Sequence, residues 1–290
     1  MSWTNYHTHS YFCDGKFAPE EHVKEAVKQG LYAYGVSTHS PVPFDSSWNM
    51  KMEEVPRYVK EVRQAAEAYK NDIQVYLGME VDYIPNIVGC SSDFIQKAEL
   101  DYTVGSIHYV DQFPNGKPWE IDGPHQLFLD GLSTIFHNDI RAAVERYYEL
   151  TRHMIQYDCP DVIGHLDKIK MQNEDGNLFS EDEGWYRDAV EETLEVIAQS
   201  SAIVEVNTRG LYKKATDTPY PSPWILEKIL EKNIPICLNA DSHIPTEITK
   251  GFSEAAHILK EIGFNQLHIL YNGEWQGVDF DTKGLKMLNH

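Results

Sequence analysis

The chain has little with which to meet nucleic acid, a bilayer or an oxidising compartment. Basic residues are scarce: 25 Lys and Arg stand against 45 Asp and Glu, a formal net charge of −20. Nucleic acid is normally met by a basic surface, so none is expected as a partner, and the simplest role of the acidic excess is solubility. No apolar stretch approaches the roughly 20 residues that span a bilayer, so no membrane partner is expected either. The opening MSWTNYHTHS has neither a basic n-region nor an apolar h-region, which predicts no secretory signal and a cytoplasmic protein. Cysteine is sparse, and Cys13, Cys90, Cys159 and Cys237 form no CxxC pair. Reduced thiols fit that spacing better than a disulfide framework. No linker, composition shift or internal repeat divides the 290 residues, which predicts one domain over 1–290, within the size of an α/β barrel.

What the chain does have is a regular alternation of short apolar runs and amphipathic stretches. The runs predict strands near 3–8, 33–38, 73–80, 102–107, 161–165, 202–207 and 234–239. Helices are predicted near 19–29, 53–70, 92–99, 138–156, 184–200, 222–232 and 252–262, with Pro19 in the first turn of the first and Gly30 at its end. VYLGMEV, IVEV and IPICL are the near-continuous apolar runs of strands covered on both faces. Seven or so βα units predict an α/β fold with a parallel sheet closed into a barrel. Segments 109–137 and 168–183 are long for connections in such a barrel. The first carries Tyr109, Phe113, Trp119, Glu120, Asp122, His125 and Phe128 and is predicted to be a lid or specificity element.

Six histidines share one placement, at or just past the end of a strand-like run: His7, His9, His39, His108, His165 and His243. Glu80 and Asp241 are placed in the same way. Parallel strands bring their C-terminal ends together, so residues far apart in sequence converge on one mouth. His7 and His9, two apart on a strand, point to the same face, and Asp241-Ser242-His243 repeats that spacing. A carboxylate at a buried strand end, as Glu80 would be, is costly unless paired or bound to metal. Imidazole and carboxylate together bind borderline and hard divalent cations. The pattern predicts a multi-metal hydrolytic site. The remaining histidines (His22, His125, His137, His153, His257, His268 and His290) share no such spacing and are predicted at surface or helix positions, His125 being the one read as part of the lid.

The ordered set resembles the polymerase-and-histidinol-phosphatase (PHP) superfamily. The matching pieces are His7-Thr8-His9, Ser37-Thr38-His39, Gly78-Met79-Glu80, Gly105-Ser106-Ile107-His108, Gly164-His165 and Asp241-Ser242-His243. The chain length and the stretch NYHTHSYFCDG are similar to the monofunctional histidinol-phosphate phosphatase branch. The resemblance implies a distorted (βα)7 barrel with three divalent ions at its C-terminal face: zinc, iron or manganese, with zinc favoured. It implies His7, His9, Glu80 and Asp241 on the first ion, Glu80, His108 and His165 on the second, and Asp14, His39 and His243 on the third. Many relatives carry a histidine near the place of Asp14, so this position departs from one common pattern. The implied reaction is hydrolysis of L-histidinol phosphate to L-histidinol and phosphate in histidine biosynthesis, by in-line attack of a metal-bridging hydroxide.

A small phosphomonoester also needs a cationic clamp. Arg209, just past Ile203–Asn207, is expected at the same face with a bidentate fork; Lys213 and Lys214 are weaker candidates. The proton for the leaving group is expected from metal-bound water, from Asp241 or from a nearby histidine such as His243. Asp82, Asp167 and Asn207 are read as groups that orient ligands. Asp122 or Glu120, with His125, is read as contacting the cationic end of the substrate. A PHP nuclease or phosphoesterase acting on nucleotides or other small phosphate esters is the alternative, which the acidic surface disfavours. A non-catalytic metal-binding barrel is a second, which the full ligand set disfavours.

Overall fold

The computed structural model describes residues 2–287; His290 lies outside the described residues. In chain order its elements are β1 (Thr4–Asn5), α1 (Pro19–Gln29), β2 (Ala33–Val36), α2 (Val55–Ala68), β3 (Gln74–Asp82), α3 (Asp93–Lys97), β4 (Tyr102–Ser106), β5 (Tyr109–Gln112), β6 (Pro118–Glu120), α4 (His125–Phe136), α5 (Ile140–Tyr157), β7 (Val162–Ile163), α6 (Gly184–Ala198), β8 (Ile203–Asn207), α7 (Arg209–Lys213), α8 (Pro223–Glu231), β9 (Ile236–Asn239), α9 (Phe252–Ile262), β10 (Gln266–Tyr271), β11 (Glu274–Asp281) and β12 (Gly284–Leu285). Seven strands run parallel in the order β1-β2-β3-β4-β7-β8-β9. A bridge between Thr8 and Ser242 joins the two edges, with His9 N donating to Ser242 O at 2.8 Å and Ser242 N to His7 O at 3.2 Å. The result is the distorted, closed (βα)7 barrel expected from the alternation.

Local chemistry explains the elements. Helix α1 starts with Pro19 at its first position, carries Glu20 and Glu21 in its first turn, and stops at Gly30, whose φ of 74° is left-handed. Asp139 caps α5 by accepting from Ala142 N at 3.0 Å. The regular part of β1 is shorter than the predicted 3–8 because side-chain amides replace the ladder: Tyr6 N donates to Asn239 Oδ1 at 2.7 Å and His7 N to Asn5 Oδ1 at 3.1 Å. Below this level the barrel is plugged by aromatics. Tyr6 and Tyr102 are fully enclosed, with Trp275 packed edge-on against both. Gly35 and Gly78 leave the space that the Tyr102 ring fills.

Three regions differ from the sequence reading. Segment 109–137 is not an irregular excursion but the hairpin β5/β6 followed by α4, anchored by Trp119 and Phe128, both 1% exposed. A 3-10 helix, Lys168–Gly176, occupies much of 168–183. An antiparallel sheet, β10-β11-β12, follows the last helix and supplies Trp275 to the barrel floor. His22, predicted at a surface or helix position, lies on α1 but is fully buried, 3.3 Å from the Tyr34 hydroxyl. All four cysteines are free thiols. Among the described residues no helix is long and apolar enough to cross a membrane.

Candidate metal centre

The histidines sit where the strands stop. His7 and His9 follow β1, His39 follows β2, His108 follows β4, His165 follows β7, and Asp241 and His243 follow β9; Glu80 lies within β3. Two of these positions have left-handed backbone without being glycine, Asp241 at φ 49° and His165 at φ 22°. Such conformations cost energy and concentrate at functional sites.

The side chains meet around Glu80. Its Oε2 is 2.9 Å from His39 Nδ1, 3.2 Å from His7 Nε2 and 3.5 Å from His9 Nε2. Its Oε1 is 3.0 Å from His165 Nε2 and 3.8 Å from His108 Nε2. Asp241 Oδ1 is 3.2 Å from His9 Nε2, and Asp14 Oδ2 is 2.9 Å from His243 Nε2. The structure thus brings together all nine residues read as ligands. Their donor atoms fall into four close groups: His9, Asp14, His39 and His243; His7, Glu80 and His165; His7, His9 and Asp241; and His39, Glu80 and His108. This grouping cuts across the sets implied by the family resemblance, with His9 also reaching the Asp14 end.

Apart from the pairs His165 Nε2–Glu80 Oε1 at 3.0 Å and His243 Nε2–Asp14 Oδ2 at 2.9 Å, these atoms crowd one another without hydrogen bonds. His7 Nε2, His9 Nε2, His39 Nδ1, His108 Nε2, His165 Nδ1 and Glu80 Oε2 are all buried and make no hydrogen bond. Buried polar atoms normally have partners. Lone pairs aimed at common points rather than at donors are the arrangement of ligands around cations, and the donor set of imidazole and carboxylate suits divalent metals. The residues fit a divalent metal cluster.

A second layer of polar groups holds these candidate ligands in place. Glu205, fully buried in β8, accepts from His7 Nδ1 at 2.7 Å, from His165 N at 2.8 Å, from Asn207 Nδ2 at 2.9 Å and from Asn239 Nδ2 at 3.0 Å. Asp82 accepts from His108 Nδ1 and, at 2.6 Å, from Asn49 Nδ2. Ser106 Oγ donates to Glu80 Oε1 at 2.6 Å. A carboxylate behind an imidazole fixes which ring nitrogen faces inward. Asp82 thus stands behind the His108 ring, and Asn207 Nδ2 lies between Glu205 and, at 3.4 Å, Asp241 Oδ2. Asp167, expected to orient a ligand, instead pairs with Lys170 at 2.8 Å and accepts from Ser222 N at 2.9 Å, away from the histidines.

Burial and neighbours set the charges. Burial lowers His9 to about 3, and His243 and His39 beside it add to the effect. For His7 burial acts in the same direction, but Glu205, Glu80 and Asp241 outweigh it and hold the imidazole well above its ordinary 6.5. His39 is raised likewise, Glu80 and Asp82 overcoming burial. Burial opposes ionisation of Glu80 and Asp241, yet His39, His7 and His108 keep Glu80 well below the usual carboxylate range, and Arg209, His7 and Lys168 do so for Asp241.

Beside the cluster opens a cavity of about 320 Å³, walled by Trp48, Asp122, Lys168, Arg209 and Tyr220. Arg209, at the start of α7, donates from NH1 to Asp241 O at 2.7 Å and lies 2.9 Å from His243 Nδ1. Asp122 reaches the wall, 3.7 Å from His108 Nε2. Glu120 accepts from Trp48 Nε1 at 3.0 Å. His125 is not brought to the wall; its Nδ1 pairs with Gln172 Oε1 at 3.0 Å, and Gln172 in turn donates to Ile121 O and Gly123 O, the residues flanking Asp122. Lys213 also lines the cavity, tied to Glu247 at 2.8 Å.

Sequence reasoning missed Glu205, Lys168 and Trp48. Glu205 carried a signal, a carboxylate inside the apolar run Ile203–Asn207. Lys168 and Trp48 carried none.

Comparison with known proteins agrees along the chain. A model of the PHP domain matches residues 5–209, which includes every proposed ligand except Asp241 and His243; the Thr8–Ser242 bridge places those two against His7 and His9. A probable histidinol-phosphatase of Deinococcus radiodurans is 27% identical over 264 residues, 89% of this chain and 92% of that protein. A histidinol-phosphatase of Lactococcus lactis is 25% identical over 283 residues, 92% of this chain and 94% of that one. The crystal structure of a Lactococcus lactis histidinol phosphate phosphatase, complexed with zinc, L-histidinol and phosphate, superposes with a TM-score of 0.68 at 21% identity over 99% of both chains. By the match of its motifs and barrel over most of its length, this chain belongs to the PHP domain family.

Proposed function

We propose that this chain is a metal-dependent phosphomonoesterase that hydrolyses L-histidinol phosphate to L-histidinol and phosphate, a step of histidine biosynthesis in the cytoplasm. The observation that carries the reading is the convergence of nine ligand-type side chains, six of their buried atoms without hydrogen bonds, beside a cavity that holds Arg209. Relatives named histidinol-phosphatase, similar over about nine-tenths of the chain, support the substrate. We assign three divalent ions, zinc foremost, to His7, His9, Glu80 and Asp241; to Glu80, His108 and His165; and to Asp14, His39 and His243. Bound there, such ions supply positive charge for phosphoryl oxygens and a lowered pKa for water.

The chain's own residues do the rest. Arg209 is fixed by its bond to Asp241 O, which leaves its guanidinium edge to take phosphoryl oxygens as a planar fork. Asp241 and His243 lie within reach of that group and of each other, 3.6 Å apart, where a proton can be held for the leaving alcohol. Asp122 stands on the rim, in the turn after β6, and gives the cationic end of the substrate a negative face, while Glu120 holds Trp48 behind it. Trp48, stacked on Tyr109 with ring centroids 5.3 Å apart, closes that side against water.

A substrate panel on protein with its metals counted tests the reading. L-histidinol phosphate should exceed nucleotides and an aryl phosphate in kcat/KM. Fully metallated protein that prefers a nucleotide, or releases no phosphate from any of them, would refute it.

A further inference from the structure

Residues 41–49, between β2 and α2, form neither helix nor strand, and side chains hold them. Ser46 Oγ accepts from Trp48 N at 3.3 Å and from Asn49 N at 3.2 Å, which closes a tight turn. Asn49, only 7% exposed, ends that turn with both sides of its carboxamide bonded. Its Nδ2 donates to Ser40 O at 2.8 Å and to Asp82 Oδ2 at 2.6 Å, and its Oδ1 accepts from the Tyr109 hydroxyl at 2.8 Å. Two acceptors on one side and a hydroxyl on the other admit a single orientation of the amide. Each of the three partners adjoins a candidate ligand. Ser40 follows His39, Tyr109 follows His108, and the other oxygen of Asp82 accepts from His108 Nδ1. The same turn sets Trp48 beside the cluster, its indole edge-on to His39 and His108 with ring centroids 4.6 and 5.3 Å away. Asn49 is thus the buried junction between His108 and the Trp48 side of the cavity wall.

We propose that Asn49 is a positioning residue that couples the Trp48 turn to the binding of the divalent ion that His108 helps to hold. The proposal rests on the metal-centre reading above. The coupling runs through Asp82. A carboxylate behind an imidazole holds the ring in its ligating orientation, but a carboxylate with one oxygen free can still turn about its own Cβ–Cγ bond. The Asn49 amide fixes that second oxygen, and a buried hydrogen bond to a charged group is one of the stronger kind. Any pull on His108 is therefore passed to Asp82 and, through it, to Asn49 and the turn. The effect is reciprocal: a turn that has lost Asn49 leaves Asp82 and His108 looser, and the ion is bound less tightly.

The test titrates metal-free protein with zinc and reads two quantities: affinity, by competition with a chelating dye, and amide hydrogen exchange of residues 41–50. In the wild type, zinc should slow exchange across that segment on the order of tenfold or more. Asn49→Ala should weaken one zinc-binding step on the order of tenfold, the worth of one hydrogen bond to a charge, and should remove most of the zinc-dependent slowing. In an Asp82→Ala background the same substitution should change zinc affinity less than about twofold, because its route is already cut. The thermal transition of the metal-free protein reads any loss that is only structural. Unmoved zinc affinity in Asn49→Ala, whatever its thermal transition, or losses that add in the double variant, would overturn the proposal. So would zinc binding in the wild type that leaves exchange of 41–50 as it was, a result that depends on no variant. Wild type that takes up no zinc refutes the metal-centre reading itself, and the coupling with it.

Discussion

Glu205 sits in the middle of an apolar strand, where an ionised side chain is expensive unless fully bonded. Its four hydrogen bonds repay that cost and lock His7 and the backbone of His165 into position. Glu205→Gln keeps the shape but removes the charge behind His7. It should weaken zinc binding on the order of 10–100-fold, read by competition with a chelating dye, with the thermal transition of the metal-free protein little moved; equal affinity would remove Glu205 from the site. The histidines make a second prediction, on pH. His7 and His39 have folded pKa values raised above 6.5, so their contribution to the metal-free fold is present at low pH and lost as pH rises through those raised values. Metal requires the neutral ring, so uptake improves over the same rise. Zinc titration of metal-free protein near neutral pH, in buffers of different ionisation heat, should therefore show net proton release; none would contradict the assignment. The strand-end histidines were legible because strand periodicity and barrel topology alone bring them together. Lys168 was not, because its meaning comes from Asp122 and Asp241, which only the fold places beside it.

The segment between β4 and α5 shows what pattern reading misses at the scale of elements. Strands β5 and β6 are four and three residues long, too short to display alternation, so 109–137 reads as an open loop. In the fold the Trp119 indole packs against Phe128 and Phe136 and fills the space beside Gly131. That anchor makes the segment a fixed wall that presents Asp122 to the cavity. Trp119→Ala should cost about 3–5 kcal/mol in chemical denaturation and raise KM for L-histidinol phosphate more than it lowers kcat. An unaltered KM would mean that the wall does not touch substrate. The C-terminal sheet was the opposite case, because its signal was present: Asn272-Gly273, at φ 54° and 80°, is the turn pair of a tight hairpin between β10 and β11. A reading organised around βα units has no place for it, and so the floor of the barrel, with Trp275 under Tyr6 and Tyr102, was not foreseen.

For the whole molecule, seven alternating apolar runs were enough to specify the barrel, since parallel strands with helical crossovers have few other ways to bury both faces. What they could not supply is the closure. The first and last barrel strands meet through Thr8 and Ser242, and that contact sets His7 and His9 beside Asp241 and His243. The cluster therefore ties strand ends from opposite ends of the chain, and ions held there should stabilise the folded state as well as serve the reaction. The most direct test is stepwise zinc addition to chelator-stripped protein, following bound metal by elemental analysis and phosphate release from L-histidinol phosphate together. Activity should be absent at the start, rise as ions bind, and level off at three per chain. Protein that binds no metal, or that hydrolyses the ester equally well when stripped, would contradict the account.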